Sequence, residues 1–271
     1  MINIGINSGI NSGISYVIVI FIILLFVSYF RKKEPFQVES VIPLKIFQTW
    51  NTKDLPLHMK RNCERLKKQN PQFEYFLFDD DDCLKFIEEN FEEEVATAFK
   101  RLVPGAYKAD LWRYCVLYIH GGIYLDMKMR CVGDFRLIEL TKKEHYVLDR
   151  PTSGFLPGHI GIYNAVMVQR PRNPLMMDCI ARIIRNVNTN EYGFGCLYPT
   201  GPGLLGDLYE QKQIMYRLTN IDLFHEMKRE SIRYKNRTIL EHYPEYRKEQ
   251  LNHQNDLHYS VLWNKESIYL L

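Results

Sequence analysis

Charged side chains interrupt one stretch of the sequence that is otherwise apolar. Between Ala106 and Ile119 nearly every residue is apolar or aromatic, apart from Lys108 near the start and then Asp110 and Arg113. A helix that is apolar on all sides is buried, and a buried carboxylate or guanidinium must be paired or must bind a ligand. Because Asp110 and Arg113 are three residues apart, they share a helical face and can reach each other. The pair could orient the helix internally, or it could bind polar groups of a ligand.

A glycine turn and a short strand bring a second carboxylate towards this helix. Gly121-Gly122 permits a sharp turn with positive φ, and the apolar residues 123–125 predict a strand that ends at Asp126. In open α/β sheets, ligands bind beyond the carboxyl ends of the strands. The sequence therefore predicts that Asp110, Arg113 and Asp126 line one crevice.

These motifs resemble those of a known enzyme family. The stretch Ala109-Asp110-Leu111-Trp112-Arg113-Tyr114, followed by Gly121-Gly122-Ile123-Tyr124-Leu125-Asp126, is similar to glycosyltransferases with the Asp-x-Asp sugar-binding motif. That family includes fungal outer-chain mannosyltransferases, the glucosyltransferase domains of clostridial toxins, and viral and bacterial members. Further stretches agree in the same order, namely 42–50, Asn70-Pro71, 75–80, Asn164-Ala165, Thr200-Gly201-Pro202 and 258–263. The resemblance covers about residues 42–263.

The resemblance implies a GT-A type fold and transfer of a hexose from a UDP- or GDP-sugar to a glycan or glycoprotein, with retention of anomeric configuration. By the same resemblance, Trp50 stacks on the nucleobase and Tyr124 lines the ribose or sugar pocket. Asp110 and Arg113 bind hydroxyls of the sugar, and Asp126 is the first Asp of the motif and a candidate metal ligand. His258 and Trp263 belong to a segment that closes over the donor phosphates. Core packing is the alternative role for the aromatic residues and for the C-terminal segment. Asp79 and Asp80 also match the family, but helix capping accounts for them.

The chain departs from the family at Lys128, which stands where the second Asp of the motif is expected. In related enzymes that carboxylate binds a divalent cation, Mn²⁺ or Mg²⁺, which prefers oxygen ligands, and an ammonium cannot be one. We assign Asp126 and Lys128 to catalysis, with three outcomes open. A metal could bind through Asp126, the donor phosphates and the C-terminal segment; Lys128 could neutralise the diphosphate itself; or the chain could be an inactive, membrane-anchored scaffold that binds sugar nucleotides.

The size of the electrostatic effect favours an active enzyme with weakened metal dependence. One preorganised donor or cation at the leaving diphosphate stabilises the transition state by roughly 3–4 kcal/mol. A lysine can supply part of that stabilisation as a point charge. Lys128 and Asp126 are two residues apart and therefore share a face of an extended segment.

The surrounding sequence alternates strand-like and helix-like segments. This pattern predicts an α/β, Rossmann-like fold with a mixed, mainly parallel sheet flanked by helices. The predicted strands are 45–50, 73–78, 123–125, 146–148 and 162–168, and the predicted helices are 56–68, 83–90, 107–120 and 174–187. The C-terminal third, after Pro199, is predicted to be less regular and to pack over the edge of the sheet.

The N-terminal part predicts attachment to a membrane. Residues 14–30 carry no charge over about seventeen positions, the lower limit for crossing a hydrocarbon core of ~30 Å. A cleaved signal peptide would need basic residues before this run and a small-residue cleavage site after it, whereas Arg31-Lys32-Lys33 follows the run. The sequence thus predicts a disordered tail (1–13), an uncleaved single-pass transmembrane helix (14–30), a linker (31–41) and a catalytic domain (42–271).

The side of the membrane stays open. Basic residues usually remain cytoplasmic, whereas most anchored eukaryotic glycosyltransferases place the catalytic domain in the lumen, and the sequon Asn236-Arg237-Thr238 does not decide between them.

A formal charge of +3, with 35 basic and 32 acidic residues intermixed, gives no indication of a nucleic-acid partner. The six cysteines show no metal-ligand spacing and could pair in a lumen, although Cys115 is expected as a small buried hydrophobe.

Overall fold

A computed structural model describes residues 40–151, 155–253 and 257–270. The predicted tail, the predicted membrane anchor and all but the last two residues of the predicted linker lie outside these ranges. Within them, no helix combines the length and the apolar character needed to span a bilayer. The described residues belong to one compact unit that runs from Ser40 to Leu271.

The first sheet has four strands in the order β2-β1-β3-β6. Its strands are β1 (Lys45–Thr49), β2 (Glu74–Phe78), β3 (Gly122–Leu125) and β6 (Val166–Gln169). Strand β1 runs parallel to both β2 and β3, whereas β6 pairs antiparallel with β3. The prediction of a mixed, mainly parallel sheet is confirmed for this part of the chain.

Eight α-helices are described, and four of them match helices that the sequence predicts. They are α1 (Leu57–Gln69), α2 (Asp80–Asn90), α3 (Glu93–Arg101), α4 (Gly105–His120), α5 (Pro174–Thr189), α6 (Pro202–Tyr216), α7 (Tyr246–His253) and α8 (Tyr259–Asn264). Helix α4 is buried on nearly every side, as its apolar composition predicts. Helix α2 begins three residues before the predicted start because Asp79 and Asp82 form a reciprocal capping box at its N-terminus.

The glycine pair between α4 and β3 makes the turn that the sequence predicts. Gly121 and Gly122 have φ values of 61° and 106°. A Cβ atom on Gly121 would lie 2.6 Å from Pro171, and one on Gly122 would lie 2.8 Å from the carbonyl oxygen of Lys45. Both glycines are therefore required by conformation and by space, and they let β3 start directly beside β1.

The C-terminal third is more regular than the sequence analysis predicts, and that prediction is wrong. A second sheet has the order β4-β9-β8-β7-β5. Its strands are β4 (Met129–Cys131), β5 (Val147–Leu148), β7 (Leu223–Glu226), β8 (Ser231–Tyr234) and β9 (Arg237–His242). These strands are short and carry many charged residues, so their alternation is too brief to be distinguished from loop sequence. The predicted strand at 146–148 belongs to this sheet and not to the first.

Alternation along β3 divides the side chains between two cores. Ile123 and Leu125 pack with residues of the second sheet, including Leu223 and Leu240. Tyr124 points to the opposite face and packs in the core formed with α4. The consequence is that Tyr124 and the polar residues of α4 lie on one side of the first sheet.

All six cysteines are free thiols in this structure, and five of them are buried. Cys115 is completely buried among apolar side chains of the helical core. The expectation that Cys115 acts as a small hydrophobe is confirmed.

Candidate active site

Four charged side chains meet beyond the end of β3, and we call Asp110, Arg113, Asp126 and Lys128 the charge quartet. The guanidinium of Arg113 lies 3.2 Å from Asp110 Oδ1 through Nη1 and 3.4 Å from Asp126 Oδ1 through Nη2. The ammonium of Lys128 lies 2.8 Å from Asp126 Oδ2. The exposed fractions of the four side chains are between 6% and 22%. The structure therefore brings together these four predicted site residues as a continuous chain of alternating charges.

Side chains from β1 and α1 fix the segment that carries Asp126 and Lys128. The buried side-chain amide of Gln48 donates to the carbonyl oxygens of Leu125 (3.2 Å) and Asp126 (3.3 Å). The amide of Asn62 donates to the carbonyl oxygen of Met129 at 2.9 Å. These bonds connect the segment that follows β3 to β1 and α1, which limits the movement of the two charged side chains.

Asp110 is held by neutral donors as well as by Arg113. Its Oδ1 accepts a hydrogen bond from the amide of Asn164 (2.9 Å), and its Oδ2 accepts one from the hydroxyl of Thr200 (2.7 Å). Burial raises the pKa of Asp110, and the charge of Arg113 and the two neutral donors oppose that rise. Asn164 and Thr200 are not assigned to the site by the sequence analysis, although both lie in stretches that resemble the family.

Asp126 is surrounded by three donors. The hydroxyl of Tyr124 donates to Oδ1 at 2.8 Å, in addition to the contacts with Arg113 and Lys128. The guanidinium carbon of Arg113 also lies 4.4 Å from the centre of the Tyr124 ring, which is a cation–π contact. Burial by itself would raise the pKa of Asp126, but Lys128 and Arg113 outweigh it and lower that pKa to about 2. Asp126 is therefore a carboxylate throughout the neutral range.

The residues around Asp126 do not fit a divalent cation. Both carboxylate oxygens already contact donors, and a buried ammonium occupies the place of the second carboxylate. A hard cation would need several oxygen ligands in this space. The electrostatic coupling to Asp126 raises the pKa of Lys128 well above its usual value despite burial, so the ammonium keeps its charge. Among the described residues, a group of side chains with metal-ligand spacing lies elsewhere, at His159, Asp207 and Glu210.

Aromatic and imidazole groups that the sequence analysis did not single out surround Lys128. Its ammonium lies 5.3 Å from the centre of the Tyr163 ring, and the Tyr163 hydroxyl lies 3.4 Å from His242 Nε2. Burial and the charge of Lys128 lower the pKa of His242 to about 3. Lys128 also acts electrostatically on the hydroxyls of Tyr246 and Tyr259, and the pKa of Tyr259 is raised to about 12, mainly by burial.

We expect His242 to make the protein sensitive to acid. Its folded-state pKa of about 3 lies below the usual 6.5, so only the unfolded chain binds this proton between those values. The part of the free energy of unfolding that depends on the neutral imidazole of His242 is fully present above pH 6.5 and declines as the pH falls towards 3. We expect a loss of roughly 2 kcal/mol between pH 6.5 and pH 4, allowing for partial exposure.

Urea unfolding at several pH values measures this effect. The substitution His242→Gln should flatten the decline between pH 6.5 and pH 4. His253, an exposed histidine of α7, supplies the control, and His253→Gln should follow the wild-type curve. If His242→Gln shows the same slope as the wild type, His242 is not a buried neutral imidazole.

The remaining three predicted site residues lie outside the hydrogen-bonded quartet. Trp50 directly follows β1 and is 6% exposed, packed in a small cluster that includes Met127. His258 is exposed and caps the N-terminus of α8 by accepting from the amide of Ser260. Trp263 is half-buried and donates its indole N–H to the carbonyl oxygen of Tyr192 at 2.8 Å. Trp50 is thus next to the segment that carries the quartet, whereas these contacts tie His258 and Trp263 to other parts of the chain.

Comparison with known proteins gives matches to the same region of the chain. A family model described as a glycosyltransferase sugar-binding region containing a DXD motif matches residues 56–146. An uncharacterized glycosyltransferase, L373, of Acanthamoeba polyphaga mimivirus is 34% identical over 140 residues, which cover 50% of this chain and 53% of the relative. The mannosyl phosphorylinositol ceramide synthase SUR1 of Saccharomyces cerevisiae is 26% identical over 175 residues, which cover 63% of this chain and 42% of the relative.

A solved structure has a similar fold. The PaToxG glycosyltransferase superposes with a TM-score of 0.50 over 63% of this chain and 70% of that chain, at 16% identity. At this identity the likeness concerns the fold alone. The chain spans about half the length of the curated relatives it matches. The matched region contains the whole charge quartet, and residues 56–146 match the glycosyltransferase sugar-binding region that contains the DXD motif.

Proposed function

We propose that this protein transfers a hexose from a UDP- or GDP-sugar to a glycan or glycoprotein acceptor, with retention of anomeric configuration. The catalytic domain is residues 42–271, of GT-A type. The observation that carries the proposal is the charge quartet beyond the carboxyl end of β3, where α/β sheets bind their ligands. The mannosyl transfer named for the yeast relative supports a hexose as the transferred group.

The two carboxylates of the quartet have room for one further hydrogen bond each. A carboxylate can accept about four hydrogen bonds. Asp110 has contacts with Arg113, Asn164 and Thr200, and Asp126 likewise has three contacts. We infer that Asp110 accepts from a hydroxyl of the donor sugar and that Asp126 accepts from the ribose or the sugar. Trp50 stacks on the nucleobase and Tyr124 lines the pocket, while His258 and Trp263 belong to the segment that covers the phosphates.

The charge of the quartet supports transfer with little dependence on metal. Two carboxylates and one divalent cation have a formal charge of zero, and so does the pair of Asp126 and Lys128. The replacement of a carboxylate by an ammonium therefore reproduces the charge balance of a metal-loaded Asp-x-Asp motif. When the bond between the anomeric carbon and the phosphate oxygen breaks, its electrons pass to the diphosphate, and Lys128 stabilises that charge. The acceptor oxygen bonds to the anomeric carbon on the same face, and its proton passes to the leaving phosphate.

A screen of sugar nucleotides tests the proposed function. Purified full chain is heated with GDP-mannose, UDP-glucose or UDP-galactose, because a ligand that binds only the folded state raises the melting temperature. Release of the sugar and of the nucleoside diphosphate is then measured for each donor that binds. Saturable binding without release would identify an inactive scaffold, and absence of binding by any donor would refute the proposal.

We expect a chelator to leave most of the turnover intact. EDTA should lower the rate by no more than about twofold, because Lys128 already supplies a fixed positive charge. The substitution Lys128→Asp restores two carboxylates, and we expect its turnover to require Mn²⁺. Complete loss of wild-type activity with EDTA, restored by Mn²⁺, would contradict the role of Lys128.

A second measurement separates metal binding from turnover. In the Lys128→Asp variant, repulsion between the introduced carboxylate and Asp126 should destabilise the fold, and Mn²⁺ should then raise the melting temperature. The wild type should show no such shift at the same Mn²⁺ concentration. Lys128→Met, which has no charge, should lose turnover and gain nothing from Mn²⁺.

We also propose that residues 14–30 attach the protein to a membrane as a single-pass anchor. The run of uncharged, apolar residues followed by three basic residues supports this attachment. After extraction of membranes with alkaline carbonate, the full chain should stay in the pellet. Recovery in the supernatant would refute the anchor.

A further inference from the structure

A buried acid–histidine cluster lies next to the charge quartet and has no role in the proposed donor site. Strand β5 pairs in parallel with β7, with Leu148 opposite Phe224. The next residue of each strand is Asp149 and His225, so the register places them side by side. Asp149 Oδ1 lies 2.7 Å from His225 Nδ1, and the side chains are 7% and 3% exposed.

His225 has a carboxylate on each ring nitrogen. Besides the contact with Asp149, its Nε2 lies 3.1 Å from Glu230 Oε2. Both ring nitrogens face a carboxylate oxygen, so neither is directed at a substrate in this arrangement. His225 is thus placed to hold the two acids and not to act as a base itself.

Asp149 differs from a purely structural acid because, within the part of the chain that the structure describes, only one of its oxygens is engaged. Oδ1 contacts His225 and accepts from the backbone amide of Arg150 (2.8 Å). Oδ2 has no hydrogen-bond partner among the described residues. Asp222 also pairs with a buried histidine, but its oxygens contact His145 (2.8 Å) and the ammonium of Lys143 (2.6 Å), one each. Of these two acids, Asp149 is the one whose second oxygen has no hydrogen-bond partner among the described residues.

Tyr163 connects this cluster to the charge quartet. Its ring stacks on His225, with 3.9 Å between the ring centres and an angle of 21° between the planes. The ammonium of Lys128 lies over the same tyrosine. The following residue, Asn164, donates to Asp110. Tyr163 therefore contacts both His225 of the acid–histidine cluster and Lys128 of the charge quartet.

We propose that Asp149 binds the hydroxyl group that attacks the donor sugar, through its free Oδ2, and that His225 positions Asp149 for this contact. The attacking group is the acceptor hydroxyl in transfer and a water molecule in donor hydrolysis. Before reaction, Asp149 orients the hydroxyl by accepting its hydrogen bond. As the oxygen bonds to the anomeric carbon and the bond to the phosphate oxygen breaks, the proton leaves Oδ2 for that phosphate oxygen, which has taken the bonding electrons. The inference rests on the proposed function, because it assigns the acceptor side of the same site.

The test compares Asp149→Asn with Asp222→Asn in the full chain, using the donor that the wild type hydrolyses. A misplaced nucleophile can cost on the order of a hundredfold in rate, so Asp149→Asn should lower kcat for hydrolysis by roughly ten- to a hundredfold. The KM for the donor and the Kd for the nucleoside diphosphate should stay within about twofold, because donor binding is not affected. Asp222→Asn removes a similar acid–histidine pair and should leave kcat unchanged.

Two further variants keep the inference open to refutation if Asp149→Asn does not fold. Asp149→Glu retains the charge but displaces the oxygen, and it should also lower kcat without changing nucleotide binding. His225→Gln should give a smaller loss of kcat, with the same unchanged Kd. Wild-type kcat in folded Asp149→Asn or Asp149→Glu would overturn the inference, as would a parallel loss of nucleotide affinity. If the wild type hydrolyses none of the donors, the proposed function fails first, and this result is distinct from a wild-type rate in the variants.

Discussion

Replacing Asp126 by Asn is expected to lower turnover of the donor by at least about a hundredfold. Asp126 contacts both Arg113 and Lys128, and it lies where the family motif begins. An amide of the same size fills the space, but it cannot balance the charges of Arg113 and Lys128. The loss should therefore appear in kcat and in kcat/KM, measured as release of the nucleoside diphosphate.

The same substitution should destabilise the fold. Leaving a buried charge without its partner typically costs about 3–5 kcal/mol, measured as the free energy of unfolding in urea. The sign of the pH dependence follows from the pKa of about 2 for Asp126, below its usual 3.8. This carboxylate contributes stability above pH 4 that is lost as the pH falls through 2, and Asp126→Asn should lack that component.

A control and a contradicting outcome make the Asp126 prediction specific. Asp134 is 95% exposed and pairs with Arg237 at the surface, where ion pairs contribute about 0–1 kcal/mol. Asp134→Asn should therefore change neither turnover nor stability appreciably. Wild-type turnover in folded Asp126→Asn would show that Asp126 does not take part in donor chemistry.

Replacing Arg113 by Met should destabilise the fold as strongly as the change at Asp126. The guanidinium contacts Asp110 and Asp126 and also donates to the carbonyl oxygen of Asn164 at 2.9 Å. Methionine leaves the buried Asp110 without its cation, and burial already raises the pKa of that carboxyl. We expect a loss of about 3–5 kcal/mol in the free energy of unfolding, together with loss of turnover.

Two companion variants distinguish charge from geometry at this position. Arg113→Lys keeps the positive charge, but a single ammonium cannot reproduce the fork that reaches both carboxylates, so its stability should fall between wild type and Arg113→Met. The double variant with Asp110→Asn removes both members of the pair and should recover part of the lost stability. Strictly additive losses would show that Asp110 and Arg113 are not energetically coupled.

The local features of the site can be predicted from the sequence because they depend on neighbours along the chain. The apolar composition around Asp110 and Arg113 requires a buried helix, and their spacing places both on one face. Gly121 and Gly122 are needed for a turn that no other residue could make without strain or collision. The capping role of Asp79 follows in the same way from the residues that succeed it.

The partners of these residues were decided by tertiary structure. Thr200 is 90 residues from Asp110, and His225 is 76 residues from Asp149. Such contacts depend on which strands pair and in which register, and the strands of the second sheet are too short for periodicity to reveal them. The sequence by itself determined that a carboxylate and a lysine stand at the end of β3. Only the tertiary structure decided that the ammonium of Lys128 pairs with Asp126 at a site that is largely shielded from solvent. There, water cannot solvate either charge, so each charge needs the other as its partner.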